Sequence, residues 1–482
     1  MPRSQATWIA SAAVFSLYLA MGQNAFHGLD AFSYLKFVHN GELHNQLNLL
    51  YQPLAWVFAR LCGFFGLPLY ESLRLLSAIG GALGAAFTHR TALALGIDPT
   101  RALLSAFGCG LTPAVLHSST VVEIDALFFA CSALAWLPFA HLLRTGRWSF
   151  AMLTGAASAL AAGCHAAGHL LVLTLCLMQI AWDWPARSLR TTVPRMFVLL
   201  ITHAGLSLLL AKLASVSGQA TMANNAMGIT VRADFVPHVL WHEWLLPYMP
   251  FCLLPFVALR VPRLRTAVAS FAICVLGYLL VTTIVLGLLE PTGPALPHGG
   301  MFEFGSFLLG STVPAVLLSM LALPVRAAVL AVAIACVAGV LQVRAHDWPP
   351  DPIGYAAGFH ELQQQAPLNV LVDNAEERAW IARRHPDQQC FTVRGNLELE
   401  VALIAKEKQL PFVPATFALQ FQLWRPSIAG GKELLVSERA LSRMQSSPVP
   451  QLAEAARDLL PQSFTFEPVQ AQGFRGYRLL PK

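Results

Sequence analysis

Charge is what this sequence is shortest of. Only 12% of its 482 residues are Asp, Glu, Lys or Arg, against roughly 25% in soluble domains. The shortage is local. Residues 1–344 carry apolar runs of membrane length with charges between them, while 345–482 read like an ordinary globular domain. A helix needs about 20 apolar residues to cross some 30 Å of hydrocarbon, and the first region supplies such runs repeatedly, so a wholly soluble chain is excluded. Metal-binding cysteine spacing is missing too. Nine cysteines are present, with no CxxC or zinc pattern. Most lie within or beside hydrophobic runs, where Cys behaves as a small apolar residue. Cys390 is the one in the C-terminal region, which therefore has no internal disulfide. The chain also lacks an internal repeat and a low-complexity tract.

What is present is a series of hydrophobic spans, read at 7–22, 72–89, 102–118, 124–143, 149–164, 169–184, 196–213, 243–259, 267–288, 304–322 and 327–344. Residues 1–6 ahead of the first span could begin a secretory signal. An uncleaved span is the preferred reading, because many spans follow and no clean small-x-small site precedes Phe26. The stretch 50–66 is apolar but short, is broken by Pro53 and Gly63, and carries Arg60 in its middle. It either crosses or lies along the interface as an amphipathic helix.

Positive charge decides between these. If 50–66 lies flat, alternate connections collect Arg3, Arg90, Arg101, Arg144, Arg147, Arg187, Arg190, Arg195, Arg260, Arg263, Arg265 and Arg326 on one side. The other side, outside the C-terminal region, receives Lys36, Arg60, Arg74, Lys212, Arg232 and Arg344. A crossing would invert the bias, so the flat reading is adopted. The net charge of +6 thus speaks to topology rather than nucleic acid, since the arginines form no tract or face. The expected protein is an α-helical polytopic membrane protein of about eleven spans. Its N-terminus is cytoplasmic, and a multi-pass domain (1–344) with a long external loop (23–71) precedes an external, periplasmic α/β domain (345–482). In the latter, short β-like runs lie at 369–372, 390–393, 433–436, 463–466 and 475–480. Helical patterns lie at 353–365, 375–384, 396–409, 438–445 and 450–460, and no phosphate loop or nucleophile elbow is visible.

Ionisable residues at span ends are costly and so mark candidate function. They gather on the external side. The first loop holds His27, Asp30 and Tyr34, then Lys36, His39, Glu42 and His44. The turn before the fourth span holds Glu123 and Asp125, and a span junction holds His165 and His169. A late loop holds Glu290, His298 and Glu303. Each has a plain alternative. Asp30, Glu123 and Asp125 suit helix starts; Arg74 can snorkel to headgroups; anionic lipid alone would attract Arg232 and His298. His165 and His169, at i, i+4 spacing, could bind a metal from one helix face, or sit as polar junction residues.

Between about residues 20 and 210 the chain resembles the GT-C polytopic glycosyltransferases, the protein O-mannosyltransferase-like and aminoarabinose-transferase-like enzymes. Carrying the resemblance are Leu29-Asp30-Ala31 with Tyr34, the Pro-led flat helix Tyr51-Gln52-Pro53-Leu54 ending in Phe65-Gly66, and Glu71-Ser72-Leu73-Arg74-Leu75. Arg90, Leu95-Gly96, Arg101-Ala102-Leu103-Leu104 and Glu123-Ile124-Asp125 follow in order. It implies a membrane transferase that moves sugar, with inversion, from a polyprenyl-phosphate-linked donor to a lipid, glycan or protein acceptor at the external face of the inner membrane. Asp30 would be the general base, with Asp125 and Glu123 assisting. Lys36, Arg74, Arg232 and His298 would hold donor phosphate. No metal is assigned, although some relatives hold a divalent ion, which leaves His27, His165 and His169 as candidates. The sequence departs from the aminoarabinose transferases at Gln52, where a lysine often stands. A polytopic transporter or flippase, or a catalytically silent assembly partner, is the competing reading. A transporter should hold its ionisable residues near mid-membrane, and here they sit at span ends.

Overall fold

The computed structural model describes residues 3–25, 30–42, 49–184, 189–216, 235–289, 305–351, 354–363, 368–386, 388, 390–398 and 433–482. The chain divides into two compact units, one of Met1–Gln23 with His27–Asp347, the other of Asn24–Phe26 with Trp348–Lys482.

In the first unit the helices are α1 (Arg3–Ala20), α2 (Asp30–Asn40), α3 (Tyr51–Phe64), α4 (Leu69–Ala94), α5 (Pro99–Gly110), α6 (Pro113–Ser118), α7 (Asp125–Thr145), α8 (Trp148–Cys164), α9 (Gly168–Asp183) and α10 (Leu189–Val216). After them come the short α11 (Val236–His238), α12 (Arg265–Leu289), α13 (Thr312–Ala322) and α14 (Val325–His346). Four helical stretches among the described residues are long and apolar enough to cross a membrane: Asp125–Thr145, Arg190–Leu213, Pro262–Ile284 and Val325–His346. Shorter apolar helices run at Gln5–Ala20, Trp148–Cys164, Gly168–Asp183 and Leu308–Ala322. The chain is a multi-pass membrane protein.

By that measure the described helices do not reach eleven spans, and three of the expected ones are not continuous α-helices; that at 304–322 opens on a 3-10 segment (Ser306–Ser311). The run at 102–118 stops at Gly110 and restarts at Pro113, because proline has no N–H to continue the ladder. The run at 243–259 is a π-helical turn (Val239–Leu245), a stretch of turns and a 3-10 segment (Leu254–Arg260). Pro247, Pro250 and Pro255 interrupt it for the same reason. The 50–66 stretch forms α3, which meets α4 at a bend of 119°. Gly66 sits between them with φ +79°, in the left-handed region where a side chain is strained.

Two ends of this unit are defined by contacts. At one, Gln23 after α1 donates its N–H to the Thr120 carbonyl (2.9 Å), and Tyr70 at the head of α4 donates to the Gln23 carbonyl (2.9 Å). At the other, Arg144 near the foot of α7 donates to the Ala94 carbonyl that ends α4 (2.8 Å). Helices α4 and α7 therefore run parallel, and close approach is built into α4. A Cβ on Gly80 would lie 2.9 Å from the Ala126 backbone, and one on Gly84 would lie 2.3 Å from the Phe129 ring. Small residues at such a crossing replace the hydrophobic driving force that lipid cannot provide.

The second unit contains a five-stranded sheet: β1 (Leu368–Val372), β2 (Cys390–Thr392), β3 (Glu433–Ser437), β4 (Phe464–Ala471) and β5 (Phe474–Pro481), in the order β2-β1-β3-β5-β4. Strands β2, β1 and β3 are parallel, whereas β5 pairs antiparallel with both β3 and β4. All five coincide, within a few residues, with the short β-like runs of the sequence. The helices are α15 (Tyr355–Gln363), α16 (Ala375–Arg384), α17 (Glu438–Gln445) and α18 (Pro450–Ser463). Of the helix expected at 396–409, residues 399–409 lie outside the described residues; Val393–Leu397 is a π-helical turn.

Candidate active site

Helix α7 opens on Asp125, and the residues just before it are tied to α4. The Ser77 hydroxyl donates to the Glu123 carbonyl (3.1 Å) and also lies 3.3 Å from the Glu123 amide. Asp125 is only 8% exposed. Both acids stand at the Gln23–Tyr70 end of the unit, where Gln23 Nε2 also donates to Thr120 Oγ1 (2.7 Å).

Helix α3 brings a second polar group to this end. Its far terminus is fastened by Leu50, whose N–H donates to the Gly163 carbonyl at the end of α8 (2.9 Å). The next residue, Tyr51, is buried and lies within electrostatic reach of Glu123, Asp125 and Cys164. Gln52 is 1% exposed. Among the described residues, neither the Tyr51 hydroxyl nor either atom of the Gln52 amide has a hydrogen-bond partner. Buried polar groups are nearly always paired, which makes the phenol of Tyr51, within reach of two carboxylates, a candidate contact for a polar ligand, with Gln52 next to it in the chain.

Helix α2 joins through aromatic contact, the Tyr34 and Tyr51 rings meeting edge-on at 5.0 Å. Asp30 is the first residue of α2, one turn before Tyr34; its side chain lies outside the described residues. Lys36 is exposed on the same helix. Arg74 is engaged in an ion pair with Glu71, one turn earlier on α4 (2.5 Å), so it is not an idle cation. His27, Arg232 and His298 fall outside the described residues, as do His44, Glu290 and Glu303.

The proposed histidine pair is corrected. Helix α8 ends at Cys164, and His165 is extended (φ −148°, ψ 137°), with α9 starting only at Gly168. His165 and His169 therefore do not share a helix face. His165 instead lies against Phe128 of α7 (5.1 Å between rings). His169 Nδ1 faces His203 Nε2 on α10 at 3.0 Å, and His203 Nδ1 meets Ser158 Oγ at 2.9 Å. Sequence offered no signal for this chain of contacts, because its members come from three helices. Among the described residues no group of three or more His, Cys, Asp or Glu is arranged to hold a metal ion. Glu123 and Asp125 alone do not complete a coordination shell.

A second gathering of polar groups at this end was also missed. Glu243, on the π-helical turn, accepts from the Gly305 N–H (2.5 Å), and the Tyr248 hydroxyl donates to the Gly305 carbonyl (2.5 Å). Tyr248 is within electrostatic reach of Asp125 and Glu243.

No protein-family model matches the sequence, and no curated protein matches it. Solved structures do match. ArnT from Cupriavidus metallidurans, bound to undecaprenyl phosphate, superposes with a TM-score of 0.57 at 13% identity, covering 98% of this chain and 97% of that one. Arabinofuranosyltransferase AftD from Mycobacteria gives 0.54 at 14% identity, with all of this chain matching 40% of that one. The apo oligosaccharyltransferase of Archaeoglobus fulgidus gives 0.51 at 11% identity, covering 98% and 74%. Identities this low carry the architecture alone: the chain folds like these three structures.

Proposed function

We propose that this protein is a membrane glycosyltransferase that takes sugar from a polyprenyl-phosphate-linked donor and passes it to an acceptor at the external face. The observation that carries the reading is the convergence, at one end of the membrane unit, of Glu123 and Asp125 with buried Tyr51, whose hydroxyl has no hydrogen-bond partner among the described residues. That convergence occurs in a fold shared with transferases, one of them bound to undecaprenyl phosphate. Helix α2, headed by Asp30, packs on the same tyrosine.

In this reading an acceptor hydroxyl attacks the anomeric carbon from the face opposite the phosphate. Asp30 takes the hydroxyl proton as the new C–O bond forms, and the electron pair of the breaking C–O bond leaves on the phosphate. Unperturbed carboxylic acids have pKa values of about 4, so a solvated Asp30 is ionised at neutral pH and able to accept. The leaving phosphate needs no proton, but it needs donors and positive charge at headgroup level. Lys36, Arg74, Arg232 and His298 are assigned there, with the Gln52 amide as a neutral donor where relatives often have lysine. Asp125 and Glu123 orient the acceptor.

The test is reconstitution with radiolabelled polyprenyl-phosphate sugars. Label should pass to acceptor, and Asp30→Asn should lower transfer about 10²-fold or more at unchanged abundance. Full activity in that variant would remove Asp30 from the mechanism. Solute uptake without any label transfer would replace the proposal with transport.

A further inference from the structure

At the end of the membrane unit opposite Asp125 lies a cavity of about 110 Å³ between α4, α7, α9, α13 and the start of α12. Trp136, Leu318 and Leu321 line its apolar part, while Thr266, Trp182 and Arg263 also border it. Apolar cavities of this order stay dry and accept hydrocarbon. A guanidinium on the wall is poor company for hydrocarbon alone, so the two features together call for a chain with an anionic head.

Among the residues that line the cavity, Arg263 is the one arginine. Arg144 donates to the Ala94 carbonyl, and Arg265 donates to the Leu259 carbonyl through Nε (3.0 Å). Both thereby serve helix or turn ends. Arg263 is exposed and, among the described residues, has neither an acidic nor a carbonyl partner. Exposed Trp148, Trp182 and Trp184 mark the same end, as tryptophan does at headgroup level. Basic pockets between transmembrane helices are known to hold anionic lipid headgroups.

We infer that this cavity is a binding site for an anionic phospholipid, its phosphate on Arg263 and part of one acyl chain against Trp136 and Leu318. The site is independent of the transferase reading, since it shares no residue with the Asp125 end. Native mass spectrometry of the detergent-purified full chain, given equal phosphatidylglycerol and phosphatidylcholine, tests it. Wild type should retain phosphatidylglycerol preferentially, and Arg263→Gln should weaken that retention about five-fold. Arg265→Gln removes the same charge nearby and should change little. Ala140→Leu, which fills the cavity from α7, should displace the lipid while leaving the protein monodisperse. A thermal-shift measurement supplies an independent readout. Phosphatidylglycerol should stabilise wild type more than Arg263→Gln, and glycerol phosphate alone should stabilise neither. Equal loss in Arg263→Gln and Arg265→Gln, no preference between the lipids, or full protection by the headgroup alone would each overturn the inference.

Discussion

In the sheet-bearing unit the buried Glu377 is surrounded by donors, whereas in the membrane unit the equally buried Tyr51 and Gln52 have no hydrogen-bond partner among the described residues. Glu377, fully buried, accepts from the Asp373 N–H (3.0 Å), the Tyr355 hydroxyl (3.1 Å), the Ser437 hydroxyl (3.4 Å) and Arg439 (3.2 Å). Its own N–H donates to Asn374, the N-cap of α16 (3.0 Å). Such a carboxylate has every bond it needs from its own chain and is a structural fastener. Tyr51 and Gln52 carry an unmet hydrogen-bonding demand inside the fold, the state expected of groups that wait for a ligand.

The contrast can be broken most forcefully at the fastener. Glu377→Ala strips the acceptor from several buried donors and should cost the sheet-bearing unit about 1–3 kcal/mol, read as lost hydrogen-exchange protection in β1 and β3. Unchanged protection would make the network ornamental. A pair of hydroxyl deletions sharpens it next. Tyr355→Phe should lower that unit's stability by about 1 kcal/mol and leave transfer alone. Tyr51→Phe should leave stability alone and cost transfer roughly tenfold, which corresponds to about one hydrogen bond to a charged or polar ligand. Reversed outcomes would mean that the two tyrosines have been assigned the wrong way round.

The smallest effect is on pH. Burial raises the Glu377 carboxyl above its ordinary range, although Asp373 N–H and Arg439 oppose this. The native unit then binds the proton more tightly than the unfolded chain. The resulting stabilisation is fully present below about pH 4.3 and is lost as pH rises through the raised native value. Glu377→Gln should remove this dependence. Exchange protection in wild type should decline relative to the variant on going from acidic to neutral pH.

Much of the architecture could be read from residues that are physically unambiguous. The strands of the second unit were legible because each is a short run rich in apolar or β-branched residues, such as Leu368–Val372 and Glu433–Ser437. The expectation that 50–66 lies flat rested on Arg60 and the arginine bias; the structure shows a helix there that meets α4 at a bend. Hydropathy failed at 243–259, because it weighs apolarity and is blind to prolines spaced to interrupt a helix. The acids of the site were legible as costly residues at span ends. Gln52 was noticed only as a departure from a pattern, and its burial without partners is a property of packing. The His169–His203 contact could not be found by spacing, since it joins α9 to α10.

The geometry of α3 has one more consequence. Fourteen residues at 1.5 Å each make a rod of about 21 Å, with the bend at Gly66 beyond one end and Tyr51 at the other. A swing of only about 5° at the bend carries the Tyr51 tip roughly 2 Å, more than separates a sound hydrogen bond from none. The Leu50–Gly163 bond is the latch at that tip, and the register of Tyr51 and Gln52 depends on its staying shut.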